Sequence, residues 1–290
     1  MRRRWLAALA LSLGGIAGCS SSAQPTTPVG DDSAFASGTT METLSDSGTI
    51  RIGVKTDVPG LGYIAPTDPT NNDPIGFDVE IAKIVAAELG ITPDGIEWVS
   101  MSTYVREHAL LENKVDLVIA SFSMTDDRAE KVGQAGPYYV TGQQLMIRDD
   151  ESDILDVDDI EGRTVCAVPG STSNDAIIAK GAITKAYNSY KLCIDALLAG
   201  ELDAVSTDGA ILAGFIDQHP DDLRITGLPF TSERYGIGYQ YGDVAMCEFL
   251  RDTLLEAYED GSWKVAYETT LGKDGLEAPR APMPDDCATA

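Results

Sequence analysis

The sequence predicts an α/β protein of two similar lobes, each a mainly parallel sheet flanked by helices, with a cleft between the sheet ends. Three observations carry that expectation. Residues 49–120 read as strand, helix, strand, helix, strand, the order of an open parallel sheet. The same order recurs from Gly162 to Asp208. The approaches to the last strand are alike in both halves: Asn113-Lys-Val-Asp116 and Gly200-Glu-Leu-Asp203 each end a helix, turn, and enter a buried strand. The separations between corresponding elements differ, which makes two similar lobes rather than a tandem repeat.

The elements follow in order. Thr49 to Thr56 alternates into a strand ending at Asp57, followed by the loop Val58-Pro-Gly-Leu-Gly62. Gly76 to Gly90 is a helix whose apolar positions 77, 81, 84, 85 and 89 share one stripe, with Gly90 as its stop. Ile96 to Val99 is a second strand and Thr103 to Glu112 a short helix. Val115 to Ala120, nearly all apolar, is a buried strand. Thr125, followed by Asp126 and Asp127, is a helix N-cap with acids in the first turn. In the second half, Gly162 to Val168 is a strand that leads through Pro169-Gly-Ser-Thr-Ser173 into a helix. Tyr187 to Tyr190 reads as a short strand, Lys191 to Ala199 as a helix, and Asp203 to Asp208 as the buried strand. Tyr235 to Tyr239 is a strand and Val244 to Glu259 a helix. Extended segments near 140–146 and 230–238 join the lobes, so residues 46–141 and 237–290 form lobe 1 and residues 142–236 lobe 2.

The N-terminus reads differently. Arg2-Arg3-Arg4 precedes an apolar stretch from Trp5 to Ala17 that is too short to span a bilayer, so residues 1–18 are a signal peptide. Ile16-Ala-Gly-Cys19 resembles the bacterial lipobox, which implies lipidation of Cys19. Residues 19–45 are rich in Ser, Thr, Pro, Gly and Ala without a hydrophobic period, the composition of a flexible tether. The formal net charge of −25 argues against nucleic acid or an anionic lipid surface as partner. Beyond Cys19 the chain has Cys166, Cys193, Cys247 and Cys287, an even number in an exported protein. Cys166 and Cys193 flank one strand–helix unit, and Cys247 and Cys287 bracket the C-terminal helical region, so those two pairings are favoured. A metal site is the rival, but no C-x-x-C occurs and His108 and His219 have no ligand-like neighbours.

The candidate site begins where the strand at 115–120 ends. Ser121 and Ser123 are two apart, which puts both hydroxyls on one side of an extended chain. Arg128 lies one turn into the following helix. Two hydroxyls, free backbone N–H groups and a guanidinium fork at the carboxyl end of a strand make a site for a carboxylate. In open α/β sheets ligands bind outside the carboxyl ends of the strands, where the other loops also lie. Asp208 taken alone reads better as a turn acid, a reading that the Ser121, Ser123 and Arg128 series in the other lobe reverses, and Asp116 and Asp203 read as turn acids. Trp98 and Trp263 read as core residues and His108 as a helix-surface residue.

Read in order, Ile52-Gly-Val-Lys-Thr-Asp57, Gly76-Phe-Asp-Val-Glu-Ile-Ala82, Ser123-Met-Thr-Asp-Asp-Arg128, Gly170-Ser-Thr-Ser173 and Gly200-Glu-Leu-Asp-Ala-Val-Ser-Thr-Asp208 resemble the extracellular solute-binding proteins for polar amino acids that serve ABC importers. The likeness covers residues 46–272, and within the family it is greatest to actinobacterial glutamate/glutamine-binding lipoproteins. It implies a two-lobe periplasmic-binding-protein-like fold, a monomer anchored to the outer face of the membrane through Cys19, no cofactor and no catalysis, with an ABC permease as partner. It also implies roles. Arg128, helped by Ser123 and the backbone at Ser121, takes an α-carboxylate, to which Thr172 and Ser173 add donors. Asp208, with Thr207 beside it, takes the α-ammonium. At the positions corresponding to Gly60 and Thr103 many relatives carry aromatic rings, and here neither is aromatic. Gly60-Leu-Gly62 is instead expected to offer backbone N–H groups to a second carboxylate, with Lys55 and Asp57 at the adjacent strand end. L-glutamate is the favoured ligand, with glutamine, aspartate or asparagine as alternatives. An enzyme on the same fold acting on a carboxylic acid, and a sensory receptor subunit, are readings from other classes.

Overall fold

A computed structural model describes residues 35–65, 73–273 and 277–287. The expected signal peptide, Cys19 and the tether up to residue 34 lie outside the described residues. The rest of the expected tether is not a tether. Helix α1 (Thr40–Ser47) starts at an N-cap, Thr39, whose hydroxyl accepts from the Glu42 N–H. It buries Met41 and Leu44, and Phe35 meets Phe249 edge-on at 5.7 Å. Those three apolar side chains are what ties the segment to the folded body.

The first lobe continues with β1 (Ile50–Val54), β2 (Asp57–Val58), β3 (Gly62–Tyr63), α2 (Phe77–Glu88), β4 (Ile96–Ser100), α3 (Arg106–Leu111), β5 (Leu117–Val118), α4 (Asp126–Ala129) and β6 (Gly133–Thr141). The second holds β7 (Gln143–Arg148), β8 (Thr164–Cys166), α5 (Thr172–Ala179), β9 (Ile183–Thr184), α6 (Tyr190–Leu198), β10 (Ala204–Asp208), α7 (Gly209–Ile216) and β11 (Leu223–Thr226). The chain then returns as β12 (Glu233–Tyr239), α8 (Val244–Asp260) and α9 (Ser262–Thr269).

Two five-stranded sheets result, in the orders β4-β1-β5-β12-β6 and β11-β7-β10-β8-β9. The βαβ units supply the parallel pairs β1–β4, β1–β5, β8–β10 and β8–β9. Antiparallel pairs enter where the chain crosses between the lobes, at β12–β6 and β11–β7. The crossing is narrow: β6 ends at Thr141, β7 begins at Gln143, and Gln143 exchanges hydrogen bonds with Phe230 and Thr231 of the returning segment. Glu233 already pairs opposite Thr141. Residues 233–236, expected in the second lobe, therefore stand in the first sheet, because pairing with β6 starts as soon as the chain has crossed.

Local chemistry sets the boundaries. Thr125 caps α4 by accepting from the Arg128 N–H, and α8 ends at Gly261, whose φ of 86° suits glycine. Tyr187–Tyr190 is not a strand. Ser189 accepts from the Leu192 N–H and caps α6, so the helix begins at Tyr190, and the edge strand is Ile183–Thr184. The disulfides are Cys166–Cys193, joining β8 to α6, and Cys247–Cys287, holding the C-terminal segment on α8. Asp116 takes a bidentate pair from Arg51, and Asp203 accepts the Thr164 N–H at 2.7 Å. Both acids close turns. Trp263 is buried against Phe77 and Tyr267, and His108 sits on the surface beside Glu112.

Candidate ligand-binding site

The carboxyl ends of β5 and β10 face one another across the cleft, and between them lies a partly open cavity of about 320 Å³, counting the space that opens to solvent. From the first lobe its wall comprises Lys55, Thr103, Arg106, Ala120, Ser121, Ser123 and Arg128. From the second it comprises Ser171, Thr172, Ser173, Tyr190, Thr207, Asp208 and Ile211.

Arg128 is buried and held by all three of its nitrogens: Nη1 donates to Ser123 O at 2.6 Å, Nη2 to Gly170 O at 3.0 Å, and Nε to Glu107 at 3.3 Å. Each terminal nitrogen of a guanidinium carries a second N–H, so a two-pronged donor pair remains. The Gly170 contact crosses the cleft. Arg106, also buried, gives Nε to Thr103 O and Nη1 to the carbonyls of Ala120 and Ser121, leaving Nη2 without a partner among the described residues. Both guanidiniums lie over the Phe122 ring, at 4.9 Å and 4.6 Å from its centroid. Burial, reinforced by Arg128, pulls the Arg106 pKa down to about 10, so it stays charged at neutral pH. Lys55, 2% exposed, pairs with Asp57 at 3.0 Å and reaches the Thr103 hydroxyl at 3.4 Å. Burial holds its pKa below the usual lysine range.

Opposite these cations stands Asp208, the last residue of β10. Its Oδ2 accepts the Tyr235 hydroxyl at 2.6 Å, and Oδ1 is buried without a partner among the described residues. Burial, then the neighbouring Glu233, pushes its pKa up to about 7. Glu233 itself accepts from Thr172 at 2.9 Å and from Gln143 at 2.7 Å. The cavity thus presents three cations against one facing acid. Asp57 and Glu107, the counter-ions of Lys55 and Arg128, stand outside its wall.

Residues 50–273 match the model of the bacterial extracellular solute-binding proteins, family 3. The chain belongs to that family. Among its relatives is the glutamate-binding protein GluB of Corynebacterium glutamicum, 32% identical over 80% of this chain and 81% of that protein. The glutamine-binding protein GlnH of Bacillus subtilis is 30% identical, over 82% and 86%. Among solved structures, an ancestral arginine-binding protein bound to glutamine superposes with a TM-score of 0.72 at 29% identity, covering 78% of this chain and 98% of that one.

Of the family-type residues read from the sequence, Lys55, Ser121, Ser123, Arg128, Thr172, Ser173, Thr207 and Asp208 are brought together on one wall. Asp57, Gly60 and Gly62 are not. Asp57 is the partner of Lys55. The two glycines belong to the β2–β3 hairpin, where Leu61 N–H is taken by Val58 O, and the Gly60 and Leu61 carbonyls receive the first N–H groups of α2. A side chain at Gly62 would overlap the Lys55 carbonyl. The glycines serve a tight turn away from the cavity wall. Thr172 also departs from expectation, since its hydroxyl is committed to Glu233.

The sequence reading missed Arg106, Tyr190 and Ser171. Arg106 opens α3, six residues after Ser100 at the end of β4, and a helical arginine carries no local mark of burial. Tyr190 was hidden by its assignment to a strand. Ser171 is the N-cap of α5, accepting from the Asn174 N–H, which is why it stands at the cavity ahead of Thr172.

Proposed function

We propose that the chain is the receptor of an ABC importer for an acidic amino acid, with L-glutamate as its preferred ligand. The observation that carries this reading is the charge layout of the cavity: one facing carboxylate, Asp208, against Arg128, Arg106 and Lys55. A zwitterion with a second carboxylate has the complementary layout. The α-carboxylate takes the fork of Arg128 with Ser123, the ammonium takes the unpartnered Oδ1 of Asp208, and the side-chain carboxylate takes Arg106 Nη2 and Lys55. The names of the glutamate- and glutamine-binding relatives support the same ligand class. Both lobes supply contacts, so the ligand favours their closure.

Thermal-shift titration of the mature protein with the twenty amino acids tests the reading. L-glutamate is expected to raise the melting temperature in proportion to the logarithm of its concentration, with glutamine and aspartate weaker. A larger shift with arginine or histidine would overturn it.

The N-terminus supports a lipid anchor at Cys19 on the outer face of the cell membrane, the folded body being monomeric. Among the described residues no helix is long and apolar enough to cross a membrane. Replacing Cys19 by Ala should release the protein from the membrane fraction with ligand binding intact, and full retention would count against the anchor.

One observation favours a second reading. An acid titrating near 7 and facing the ligand is what a general base requires. An ammonium seated on Asp208 would return it to an ordinary carboxylate, and the cavity offers a partner for every charge of the amino acid, which is the layout of a carrier. Incubation with glutamate should leave the ligand chemically unchanged.

A further inference from the structure

Ser121 is one of two residues other than glycine with a positive φ among the described residues, at 48°, and it forms part of the cavity wall. Residues with a Cβ occupy that conformation only when their surroundings hold them there. What holds Ser121 lies behind the wall. Asp78 Oδ2 accepts both the Ser121 N–H at 2.7 Å and the Ser121 hydroxyl at 2.9 Å, while Oδ1 accepts the Tyr138 hydroxyl at 2.6 Å. Asp78 is completely buried and does not line the cavity. It is fixed in turn by the first turn of α2, where its own N–H meets Leu61 O at 3.0 Å and the helix dipole favours a negative charge.

The conformation of Ser121 has a consequence for the ligand. Arg106 Nη1 is anchored by two carbonyls, each at 2.9 Å: Ala120 O, in the same peptide unit as the N–H that Asp78 binds, and Ser121 O, in the next. Asp78 therefore connects to the guanidinium of Arg106 through one turn of backbone. We infer that Asp78 is a positioning residue for ligand binding, bracing Ser121 in its left-handed conformation so that the carbonyls behind it aim Arg106 at the ligand. The inference rests on the amino-acid-receptor reading for its ligand and not for its mechanism, since the brace exists whatever the cavity binds.

A double-mutant cycle tests it. Asp78→Ala, Ser121→Gly and the double variant are compared with the wild type by calorimetric titration with L-glutamate and by thermal unfolding without ligand. Glycine takes a positive φ with no brace, so the two substitutions must interact. The expected result is a loss of glutamate affinity of about tenfold or more in Asp78→Ala, a smaller loss in Ser121→Gly, and a double variant that binds at least as well as Asp78→Ala alone. Losses that multiply, or unchanged affinity in Asp78→Ala, would overturn the role. Should Asp78→Ala fail to fold, Asp78→Leu, closer to aspartate in size and likewise without an acceptor for Ser121, carries the same cycle, and Asp78→Asn, whose amide oxygen keeps that acceptor, should retain most of the affinity. The unliganded melting temperatures give the answer independently: Ser121→Gly must recover part of what the Asp78 substitution removes, and additive losses there refute the brace. A wild type that binds neither glutamate nor glutamine would strike the receptor reading while leaving the thermal cycle to decide on Asp78.

Discussion

Tyr235, on the strand that returns to the first lobe, donates its hydroxyl to Asp208 Oδ2 in the second lobe at 2.6 Å. The acid proposed to receive the ligand's ammonium is thus also a point at which the lobes are tied. One oxygen serves closure and the other, Oδ1, is buried without a partner among the described residues, on a side chain that lines the cavity. In the proposed reading, recognition and closure share one carboxylate.

That arrangement makes binding depend on pH. Burial and Glu233 raise the Asp208 pKa to about 7, against about 3.9 for an unfolded chain. Between those values the folded, unliganded protein holds a proton that the unfolded chain has released. The contribution of Asp208 to stability is therefore present at low pH and falls as pH rises through about 4 to 7. An ammonium ligand pairs with the ionised form and offsets the loss. The melting-temperature shift produced by saturating L-glutamate should be larger at pH 8 than at pH 5, and Asp208→Asn should bind far more weakly with little pH dependence. A ligand shift in the wild type that shrinks as pH rises would contradict this assignment.

Arg106 and Lys55 should separate glutamate from glutamine. Arg106→Met leaves a side-chain carboxylate without its buried partner, which costs several kcal/mol. Glutamate affinity is expected to fall on the order of 100-fold or more, and glutamine affinity much less. Lys55→Met should act in the same direction more weakly, and should also lower stability because it strands Asp57. That stability loss should stay below the about 3–5 kcal/mol of a fully buried pair, since the Asp57 side chain is 23% exposed. Calorimetry with both ligands reads the ratio, and a ratio unmoved in both variants would remove these cations from side-chain recognition.

Much of this site was legible in the sequence, and the reason is local. Ser123, Thr125 and Arg128 form a strand end, a cap and a first turn whose chemistry depends on spacing alone, whereas Ser121 does not lie on an extended chain: its φ is 48° and its N–H and hydroxyl both go to Asp78, a partner 43 residues away. Asp208 was legible as a strand-end acid once the other lobe had supplied a partner. Arg106 was not, because its burial comes from the carbonyls of Ala120 and Ser121, which only the packing of α3 against the end of β5 brings to it. A helical arginine otherwise reads as surface. Gly60 and Gly62 show the converse error. Free N–H groups in a glycine loop suggest an anion site, but neither glycine reaches the cavity and the Leu61 N–H is taken by Val58. The early helix α1 was masked by a composition of small polar residues in which only Met41 and Leu44 mark a buried face.

The two disulfides should differ in what they protect. Removal of either is expected to cost about 2–4 kcal/mol, from loops of 27 and 40 residues. Cys193 lies on α6, whose first residue, Tyr190, lines the cavity, and Cys166 ends β8 just before the Ser171 turn. Loss of Cys166–Cys193 should therefore weaken ligand binding as well as stability. Cys247–Cys287 holds a segment that pairs with Gly136 and Arg234 on the first lobe, at positions that do not line the cavity. Its loss should lower the melting temperature and leave affinity within about threefold. Equal effects of both Cys→Ser pairs on affinity would contradict this division.

Closure itself can be tested away from the ligand. Gly214, on α7 of the second lobe, packs against Pro59 in the β2–β3 turn of the first, and a Cβ at Gly214 would overlap the Pro59 carbonyl oxygen. Backbone stands on the far side of that contact, so neither partner can rotate out of the way. Gly214→Ala should favour α7 by up to about 1 kcal/mol, since alanine is the better helix former. The same change should hold the lobes apart, reducing the fraction of molecules able to close and weakening apparent affinity in proportion. The expected outcome is a variant whose melting temperature without ligand is unchanged or higher, whose glutamate affinity is about tenfold or more lower, and whose radius of gyration with ligand stays larger than that of the liganded wild type. Calorimetry and small-angle scattering on the same sample read both. Wild-type affinity together with wild-type compaction would show that this contact lies outside the closing surface.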